Sequence, residues 1–222
     1  MQPPRDEAEL LERARRLAGH TLGELGEALG QALPARATRA KGKVGALLEE
    51  ALGATARSRS VPDFEALGVE LKSIPLDRRG RPRESTFVCT VPLGQLEGLD
   101  WERSRARGKL RRVLWIPIEA EPSLALTARR IGNPLLWSPS PSEEATLRRD
   151  WERIAELVTA GELEAIDAHL GEALQVRPKA ARASVRKPAP GPEGGVQWAL
   201  PRGFYLRRAF TEAILRQAGS AR

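Results

Sequence analysis

The stretch PDFEALGVELKSI, residues 62–74, places an acid and a lysine inside a pattern that is otherwise typical of a buried strand. Side chains of a strand alternate between its two faces, so Val69 and Leu71 share one face while Glu70 and Lys72 share the other. A polar pair on one face of an apolar strand requires an explanation.

A metal site is one function that these residue types suit. If the chain turns back between Asp63 and Glu70, the two carboxylates converge on one hard cation, which prefers oxygen ligands. Lys72 points to the side of Glu70, where an ammonium group can orient a metal-bound water or stabilise charge on a phosphorus atom. The alternative is an exposed charge pair on an edge strand, which stabilises a fold by at most ~1 kcal/mol. The residues alone leave both interpretations open.

The spacing of apolar residues predicts a helical first quarter followed by strands. Three helices are expected: Asp6–Leu17, a second that opens with a capping box at Thr21 and fades near Gly30, and a third over Val44–Leu52 that ends at Gly53. Three short segments rich in β-branched and aromatic residues are predicted to form one mixed or antiparallel sheet: Gly68–Ile74, Ser85–Val91 and Arg112–Ile118.

The second half of the chain returns to a helical period. Residues Ser142–Leu170 carry apolar side chains at helical spacing with a break at Gly161, which predicts a helix on each side of the break. The stretch 182–195 is rich in Pro, Gly and basic residues and has no apolar period, which predicts a mobile loop. A short strand over Val196–Leu200 and a last helix over Ala209–Gln217 follow.

Composition favours a polyanionic partner. The chain has 36 Lys and Arg against 29 Asp and Glu, a formal net charge of +7 and a pI near 10.3. Each phosphate that a basic side chain neutralises releases condensed counterions, although a solvated basic surface is the plainer alternative. The single cysteine, Cys89, excludes an internal disulfide and a zinc site of several thiolates, and His20 and His169 are far apart in sequence.

The sequence also predicts a location. No apolar run approaches the ~20 residues of a membrane span, and the N-terminal stretch is acidic rather than apolar. We therefore expect a cytoplasmic protein without a signal peptide or a membrane partner.

Several segments recur in the order of a known family. They are TLGEL (21–25), KGKVG (41–45), GVELKSIP (68–75), TFVC (86–89), KLRRVLWIP (109–117), RRIGNPLLWSP (129–139), DWE (150–152), VRPKAA (176–181) and LPRGFYL (200–206). Pro-Asp followed by Glu-x-Lys is the pattern of the restriction-endonuclease-like nucleases, and the full set resembles the MutH family of methyl-directed mismatch-repair endonucleases. The resemblance runs from about Thr21 to Phe210, and the 182–195 segment departs from the family pattern.

The resemblance implies a fold and an activity. The fold is α/β and restriction-endonuclease-like: one endonuclease domain over residues 1–222, with a mixed central sheet flanked by helices and two interleaved lobes that form a DNA-binding cleft. The implied protein is a monomer that uses Mg²⁺ to nick the unmethylated strand of double-stranded DNA at hemimethylated GATC sites, activated by MutL and indirectly by MutS. The alternatives are a GATC restriction endonuclease that cuts both strands and a basic DNA-binding module without catalysis.

The resemblance also assigns catalytic positions. Asp63 and Glu70 match metal ligands, and Lys72 matches the catalytic lysine. Glu49 matches a helix acid that faces the same site as a third ligand, and it is preferred over its neighbour Glu50. Lys109 matches a further lysine near the active site, whereas on physical grounds alone it would be a phosphate-steering or exposed residue.

The positions that read DNA depend more heavily on the resemblance. Tyr205 matches the aromatic residue that senses the adenine methyl group, and Arg177 and Lys179 match DNA contacts. Phe87 lies in a segment that approaches the site, and Lys41 is expected to contact phosphate. Without the family, Tyr205 and Phe87 are equally well explained as core residues, and Lys41 as an exposed one.

Overall fold

The computed structural model describes residues 2–34, 42–56, 60–167, 169–179 and 184–220. The described helices are α1 (Glu7–Leu17), α2 (Leu22–Ala28), α3 (Lys43–Leu52), α4 (Arg105–Leu110), α5 (Pro141–Thr159) and α6 (Arg208–Ser220). The described strands are β1 (Glu70–Leu76), β2 (Thr86–Thr90), β3 (Val113–Glu119), β4 (Leu135–Trp137), β5 (Leu174–Pro178), β6 (Lys187–Pro190), β7 (Val196–Ala199) and β8 (Arg202–Leu206). None of these helices is long and apolar enough to cross a membrane.

The chain divides into two compact units built from alternating segments. The first unit contains Met1–Glu84, Arg111–Ser138 and Ile214–Arg222. The second contains Ser85–Leu110 and Pro139–Ala213.

The three helices at the start of the first unit begin and end where the sequence predicts. Asp6 caps α1 by accepting from the backbone N–H of Glu9 at 2.8 Å, and Thr21 and Glu24 form the predicted capping box of α2. Gly53 ends α3 with a left-handed φ of 80°. A side chain at Gly53 would also clash, because its Cβ would lie 2.5 Å from the carbonyl oxygen of Gln2.

The sheet of the first unit has the order β1-β3-β4 and is mixed. β1 and β3 are parallel, with Glu70 opposite Val113 and Lys72 opposite Trp115, whereas β3 and β4 are antiparallel. One face of this sheet packs on the helices: Leu71 and the β3 residues Leu114, Ile116 and Ile118 belong to the same buried cluster as residues of α1, α2 and α3. That burial fixes the register and leaves Glu70 and Lys72 on the opposite face.

The prediction of one sheet from the first three strands is wrong. β2 belongs to a different, antiparallel sheet of the second unit, with the order β2-β8-β5. Its neighbour β8 lies more than a hundred residues further along the chain, and local residue patterns carry no information about such a distant partner.

Helix α5 of the second unit confirms the predicted apolar stripe. Leu147, Trp151, Ile154, Leu157 and Val158 of α5 are all buried. The same helix begins with a capping box between Ser140 and Glu143, which satisfies two of its unpaired N–H groups.

The prediction of a second helix after Gly161 is wrong. Gly161 has a φ of 76°, and among the described residues from there to Leu170 a short 3-10 turn, Leu163–Ala165, is the one helical segment. The carboxylate of Asp167 then accepts from the backbone N–H groups of His169 and Leu170 at 2.7 and 3.0 Å. This side chain competes with helical hydrogen bonding, as aspartate does in turns.

The stretch predicted as a mobile loop, 182–195, contains regular structure. Its residues 187–190 are strand β6, which pairs with β7 as an antiparallel hairpin, and residues 192–194 form a 3-10 turn. Residues 182 and 183 lie outside the described part of the chain. The sequence did not predict strand β6 because the segment is rich in proline and glycine, and both residues are rare in strands.

Candidate active site

A tight turn brings Asp63 back to the start of β1. Phe64 and Val69 form an isolated antiparallel bridge, with the N–H of Phe64 donating to the carbonyl of Val69 at 2.9 Å. Between them lies the 3-10 turn Glu65–Leu67, and Gly68 completes the reversal with a φ of 65°. The left-handed conformation at Gly68 costs a residue with a Cβ more than glycine, so the turn depends on glycine here.

Asp63 is tied to the strand that carries the other acid. It is 8% exposed, and its Oδ2 accepts from the backbone N–H of Leu71 at 2.9 Å. β1 lies at the edge of its sheet, and the N–H of Glu70 donates to the carbonyl of Arg112 on the β3 side. Successive amides of a strand point in opposite directions, so Asp63 satisfies an N–H on the open side of β1.

Glu70 and Lys72 form a close ion pair on the face of β1 away from the helices. Lys72 Nζ donates to Glu70 Oε1 at 2.6 Å, and the side chain of Lys72 is 14% exposed and that of Glu70 3% exposed. This burial excludes the alternative of an exposed charge pair on an edge strand. Two buried carboxylates and one ammonium leave the group Asp63, Glu70 and Lys72 with a formal charge of −1.

Glu49 lies in the last turn of α3 and is half-buried, whereas Glu50 is exposed and accepts a hydrogen bond from the side chain of Gln31. The segment after α3 is attached to Asp63, whose carbonyl accepts from the N–H groups of Thr55 and Ala56 at 2.9 and 3.1 Å. Even so, no three Asp, Glu, His or Cys side chains among the described residues come together as a metal-binding group. The structure therefore unites Asp63 with the strand of Glu70, and the role of Glu49 as a third ligand stays a prediction.

Two further lysines of the sequence-based set, Lys109 and Lys41, are not assigned to this site or excluded from it by the described structure. Lys109 is half-buried in α4, which belongs to the second unit rather than to the unit of the acids. Lys41 lies outside the described residues. Their roles also stay predictions.

The four other residues expected to read DNA lie together on one face of the β2-β8-β5 sheet. The rings of Phe87 and Tyr205 meet edge to face with centroids 5.3 Å apart. Arg177 Cζ lies 6.0 Å from the centre of the Tyr205 ring, and Lys179 Nζ lies 2.8 Å from the centre of the Phe87 ring. Cations over aromatic faces attract the ring quadrupole, so the four side chains form one aromatic-basic cluster.

This cluster is accessible. Arg177 and Lys179 are exposed, and Phe87 and Tyr205 are half-exposed rather than buried in the core. The opposite face of the same sheet carries the buried residues Phe204, Leu174 and Val176. Both rings are therefore partly exposed rather than fully enclosed in the core, and their role in reading DNA stays a prediction.

Two supporting residues of the cluster escaped sequence reasoning. A Cβ on Gly203 would lie 2.9 Å from Phe87 Cε2 and 3.1 Å from Tyr205 Cε2, so the rings close over a bare strand backbone. Ser85 accepts from Arg177 Nη1 at 2.9 Å and fixes the guanidinium. A glycine inside a strand signals close approach, and that signal was present at Gly203.

Comparison with related proteins assigns the chain to a family. A family model described as "MutH: DNA mismatch repair enzyme MutH" matches residues 52–150. "DNA mismatch repair protein MutH" of Klebsiella pneumoniae (strain 342) is 53% identical over 213 residues, which cover 96% of this chain and 92% of the relative. The protein of the same name from Escherichia coli (strain K12) is 51% identical over 215 residues, covering 97% and 94%. This chain belongs to the MutH family.

Membership in the MutH family confirms three predictions made from the sequence. The fold is mixed α/β, the chain is an enzyme, a DNA endonuclease, and its process is DNA mismatch repair. The donors that the structure offers also suit a divalent cation, because Mg²⁺ is usually held by one or two carboxylates, with water and substrate phosphate as its other ligands. Asp63 and Glu70 are such carboxylates.

Proposed function

We propose that this MutH-family protein is a Mg²⁺-dependent endonuclease that nicks the unmethylated strand at hemimethylated GATC sites and is activated by MutL. The observation that supports the chemistry is the buried group Asp63, Glu70 and Lys72, held on and beside one strand by bonds of 2.9 and 2.6 Å. The net charge of +7 supports duplex DNA as the substrate. We further propose that the protein is a monomer in the cytoplasm and that MutS acts on it through MutL.

Asp63 and Glu70 would hold the metal ion. When bound, Mg²⁺ supplies Lewis acidity toward a phosphate oxygen and lowers the pKa of a water ligand. Asp63 is suited to this role because the Leu71 N–H fixes its carboxylate in one orientation. Glu70 is fixed in the same way by the ammonium of Lys72. Orientation of both ligands before the substrate arrives reduces the reorganisation that the reaction requires.

Lys72 is the residue proposed to stabilise the negative charge that develops on the phosphate during cleavage. An ammonium has three N–H donors, and the bond to Glu70 uses one of them. Its side chain is 14% exposed against 3% for Glu70, so the ammonium lies at the accessible side of the pair. From there it can donate to a nonbridging phosphate oxygen or orient the attacking water.

The aromatic-basic cluster is the part proposed to read the GATC sequence and its methylation state. An arginine such as Arg177 can bind O6 and N7 of a guanine with two hydrogen bonds. The half-exposed ring of Tyr205 can distinguish an adenine from a methylated adenine by packing or clash. Phe87 packs edge to face against that ring, and a Cβ on Gly203 would lie 3.1 Å from it, so neighbouring residues restrict its position before DNA binds.

A plasmid assay tests the proposal. Supercoiled DNA with one GATC site is prepared unmethylated, hemimethylated and fully methylated, and is incubated with Mg²⁺ with and without MutL. We expect weak nicking that MutL stimulates, confined to unmethylated strands, and none on fully methylated DNA. Cleavage that ignores methylation rejects the proposal, and brisk cutting of both strands without MutL identifies a restriction endonuclease instead.

A further inference from the structure

The β6-β7 hairpin presents an apolar face to solvent. Among the described residues, the exposed large hydrophobic side chains are Val185 at 38%, Val196 at 75% and Trp198 at 68%, and all three lie in or beside this hairpin. The other four tryptophans of the chain are at most 8% exposed. An exposed Trp next to an exposed Val in one strand is unusual for a surface without a partner.

The register places four apolar side chains on this face. Trp198 is opposite Pro188 and Val196 is opposite Pro190, and residues two apart in a strand share a face. We call Pro188, Pro190, Val196 and Trp198 the hairpin face. Proline and valine offer no side-chain hydrogen bond, so the face suits contact with an apolar surface.

The reverse side of the hairpin is anchored, which makes the hairpin face a defined surface. Ala189 and Ala199 are buried, and the Gln197 amide donates to the carbonyls of Gly161 and Pro190, each at 2.7 Å. A Cβ on Gly161 would lie 2.5 Å from the carbonyl oxygen of Gly191, so the two backbones are in direct contact. The second unit therefore holds the hairpin against the end of α5.

Chain continuity and charge indicate what covers the hairpin face. The hairpin is inserted between β5, which carries Arg177, and β8, which carries Tyr205, and its base is closed by the Lys179 N–H donating to the Pro201 carbonyl at 2.7 Å. Arg186, directly before β6, and Lys187, its first residue, are both exposed. A basic margin that continues the strands of the aromatic-basic cluster matches a polyanion.

We propose that the hairpin face binds the same DNA duplex outside the GATC sequence, with Trp198 as its main contact. This inference rests on the proposed function and extends its DNA interface. Apolar side chains contact thymine methyl groups and sugars in a groove, and they also wedge between base steps. The contact carries no charge, so it adds affinity for flanking DNA without adding salt dependence.

Intrinsic fluorescence tests this contact directly, because Trp198 is the one strongly exposed tryptophan of the five. Acrylamide quenching is measured on the whole protein without Mg²⁺, so that DNA binds without being cut. We expect a duplex with long flanks around GATC to reduce the quenchable fraction, and a duplex trimmed to a few flanking base pairs to leave it unchanged. Trp198→Phe is the control that removes the signal while keeping an aromatic ring.

Affinity measurements give a second, independent readout. Trp198→Ala is expected to weaken binding of the long duplex roughly 10-fold, as for loss of one aromatic contact with nucleic acid, and to spare the trimmed duplex. Its dependence on salt should equal that of the wild type, whereas Lys187→Ala should lower the salt slope by about one. Circular dichroism and thermal unfolding of each variant verify that it is folded.

Three results overturn the inference. One is unchanged Trp198 quenching in the presence of long DNA that the protein binds. Another is protection of Trp198 that rises with the concentration of free protein, which assigns the face to a second copy. The third is protection by MutL in the absence of DNA, which assigns it to a protein partner. In each case, methylation-dependent nicking by the wild type leaves the proposed function standing, whereas loss of that nicking rejects the function itself.

Discussion

The backbone N–H of Leu71 donates to the carboxylate of Asp63 across 2.9 Å, and this bond attaches one acid of the site to the strand that carries the other. The partners are eight positions apart in sequence, and the turn through Gly68 brings them back together. The core of the site is therefore local: a strand, the turn before it and a carboxylate that completes the hydrogen bonding of the strand edge.

Asp63 has two roles that substitutions can separate. Asp63→Asn keeps an oxygen that can accept from Leu71 but loses the charge, so we expect a folded protein whose nicking rate falls at least about 100-fold. Asp63→Ala also leaves the Leu71 N–H without its acceptor, which should lower the free energy of unfolding by about 1–3 kcal/mol. Plasmid nicking and urea unfolding measure the two effects. Equal loss of stability in both variants would contradict the role of the bond.

Lys72 should be needed for catalysis as an ammonium and not merely as a positive charge. Lys72→Met is expected to reduce nicking by about 10²–10³-fold, the typical effect of removing one stabilising donor. Lys72→Arg should rescue little of this loss, because a planar guanidinium cannot take the place of a compact ammonium against Glu70. Single-turnover nicking rates at saturating protein measure both variants.

The stability of the ion pair provides the control for the Lys72 variants. Lys72→Met leaves a carboxylate that is 3% exposed without its ammonium partner, so it should destabilise the fold by about 3–5 kcal/mol. Glu70→Gln in the same chain should recover part of that stability and none of the activity. Recovery of activity in the double variant would contradict the assignment of Glu70 as a metal ligand.

Gly203 should control methylation sensing through the rings above it. A Cβ in Gly203→Ala would push on the ring edges of Phe87 and Tyr205, which can move because both rings are half-exposed. We expect several-fold weaker discrimination between methylated and unmethylated GATC, with a stability loss within about 1–3 kcal/mol. The ratio of nicking rates on the two substrates measures it. Gly94→Ala is the matched control, since its Cβ would meet no atom within 4 Å, and it should keep the wild-type ratio.

Asp150 should be a main stabilising residue of the second unit. Its Oδ2 accepts from the backbone N–H groups of Glu172, Ala173 and Leu174 at 2.9, 2.6 and 2.9 Å, which positions the start of β5. Asp150→Ala should lower the free energy of unfolding by about 3 kcal/mol, because bonds to a charged group are strong and two buried donors and one partly buried donor lose their acceptor. Urea unfolding measures this loss. Glu152→Ala on the exposed side of α5 should change stability by less than about 0.5 kcal/mol.

The turn after β1 should make the free energy of unfolding depend on pH in the acid range. Backbone hydrogen bonding from Arg81, followed by its side chain and by the Arg79 N–H, lowers the pKa of Asp77 to about 2 from its usual 3.8. A carboxyl with a lowered pKa stabilises the fold fully above about pH 4 and loses that contribution as the pH falls toward 2. Wild type and Asp77→Asn should therefore differ in urea midpoint at pH 6 and converge near pH 2. A constant difference over this range would contradict the assignment.

Much of the fold could be predicted from local sequence signals. The capping box at Thr21 and the stop at Gly53 were readable because caps depend on residues within four positions. The distribution of strands between two sheets was not readable, because β2 pairs with β8 across a long separation. The 3-10 turn after Gly161 was missed because the Asp167 side chain outcompetes a helix that the apolar spacing favours.

The parts of the site that lie close together in sequence could be predicted, whereas contacts between residues distant in sequence could not. Glu70 and Lys72 share a face by the period of a strand. The reversal that returns Asp63 was not readable, because the residue pattern assigns Gly68 to the strand rather than to the turn. The support that Ser85 gives to Arg177 comes from a residue 92 positions away, and no residue pattern records it.

The most direct test of the account is a strand-resolved cleavage measurement. A hemimethylated GATC duplex with a different fluorophore on each strand is incubated with Mg²⁺ and MutL, and the products of wild type and Glu70→Gln are compared. We predict cleavage of the unmethylated strand alone by the wild type and a loss of at least about 100-fold in the variant, since it removes a carboxylate ligand. Cleavage of both strands at similar rates, or a Glu70→Gln protein as active as the wild type, would contradict it.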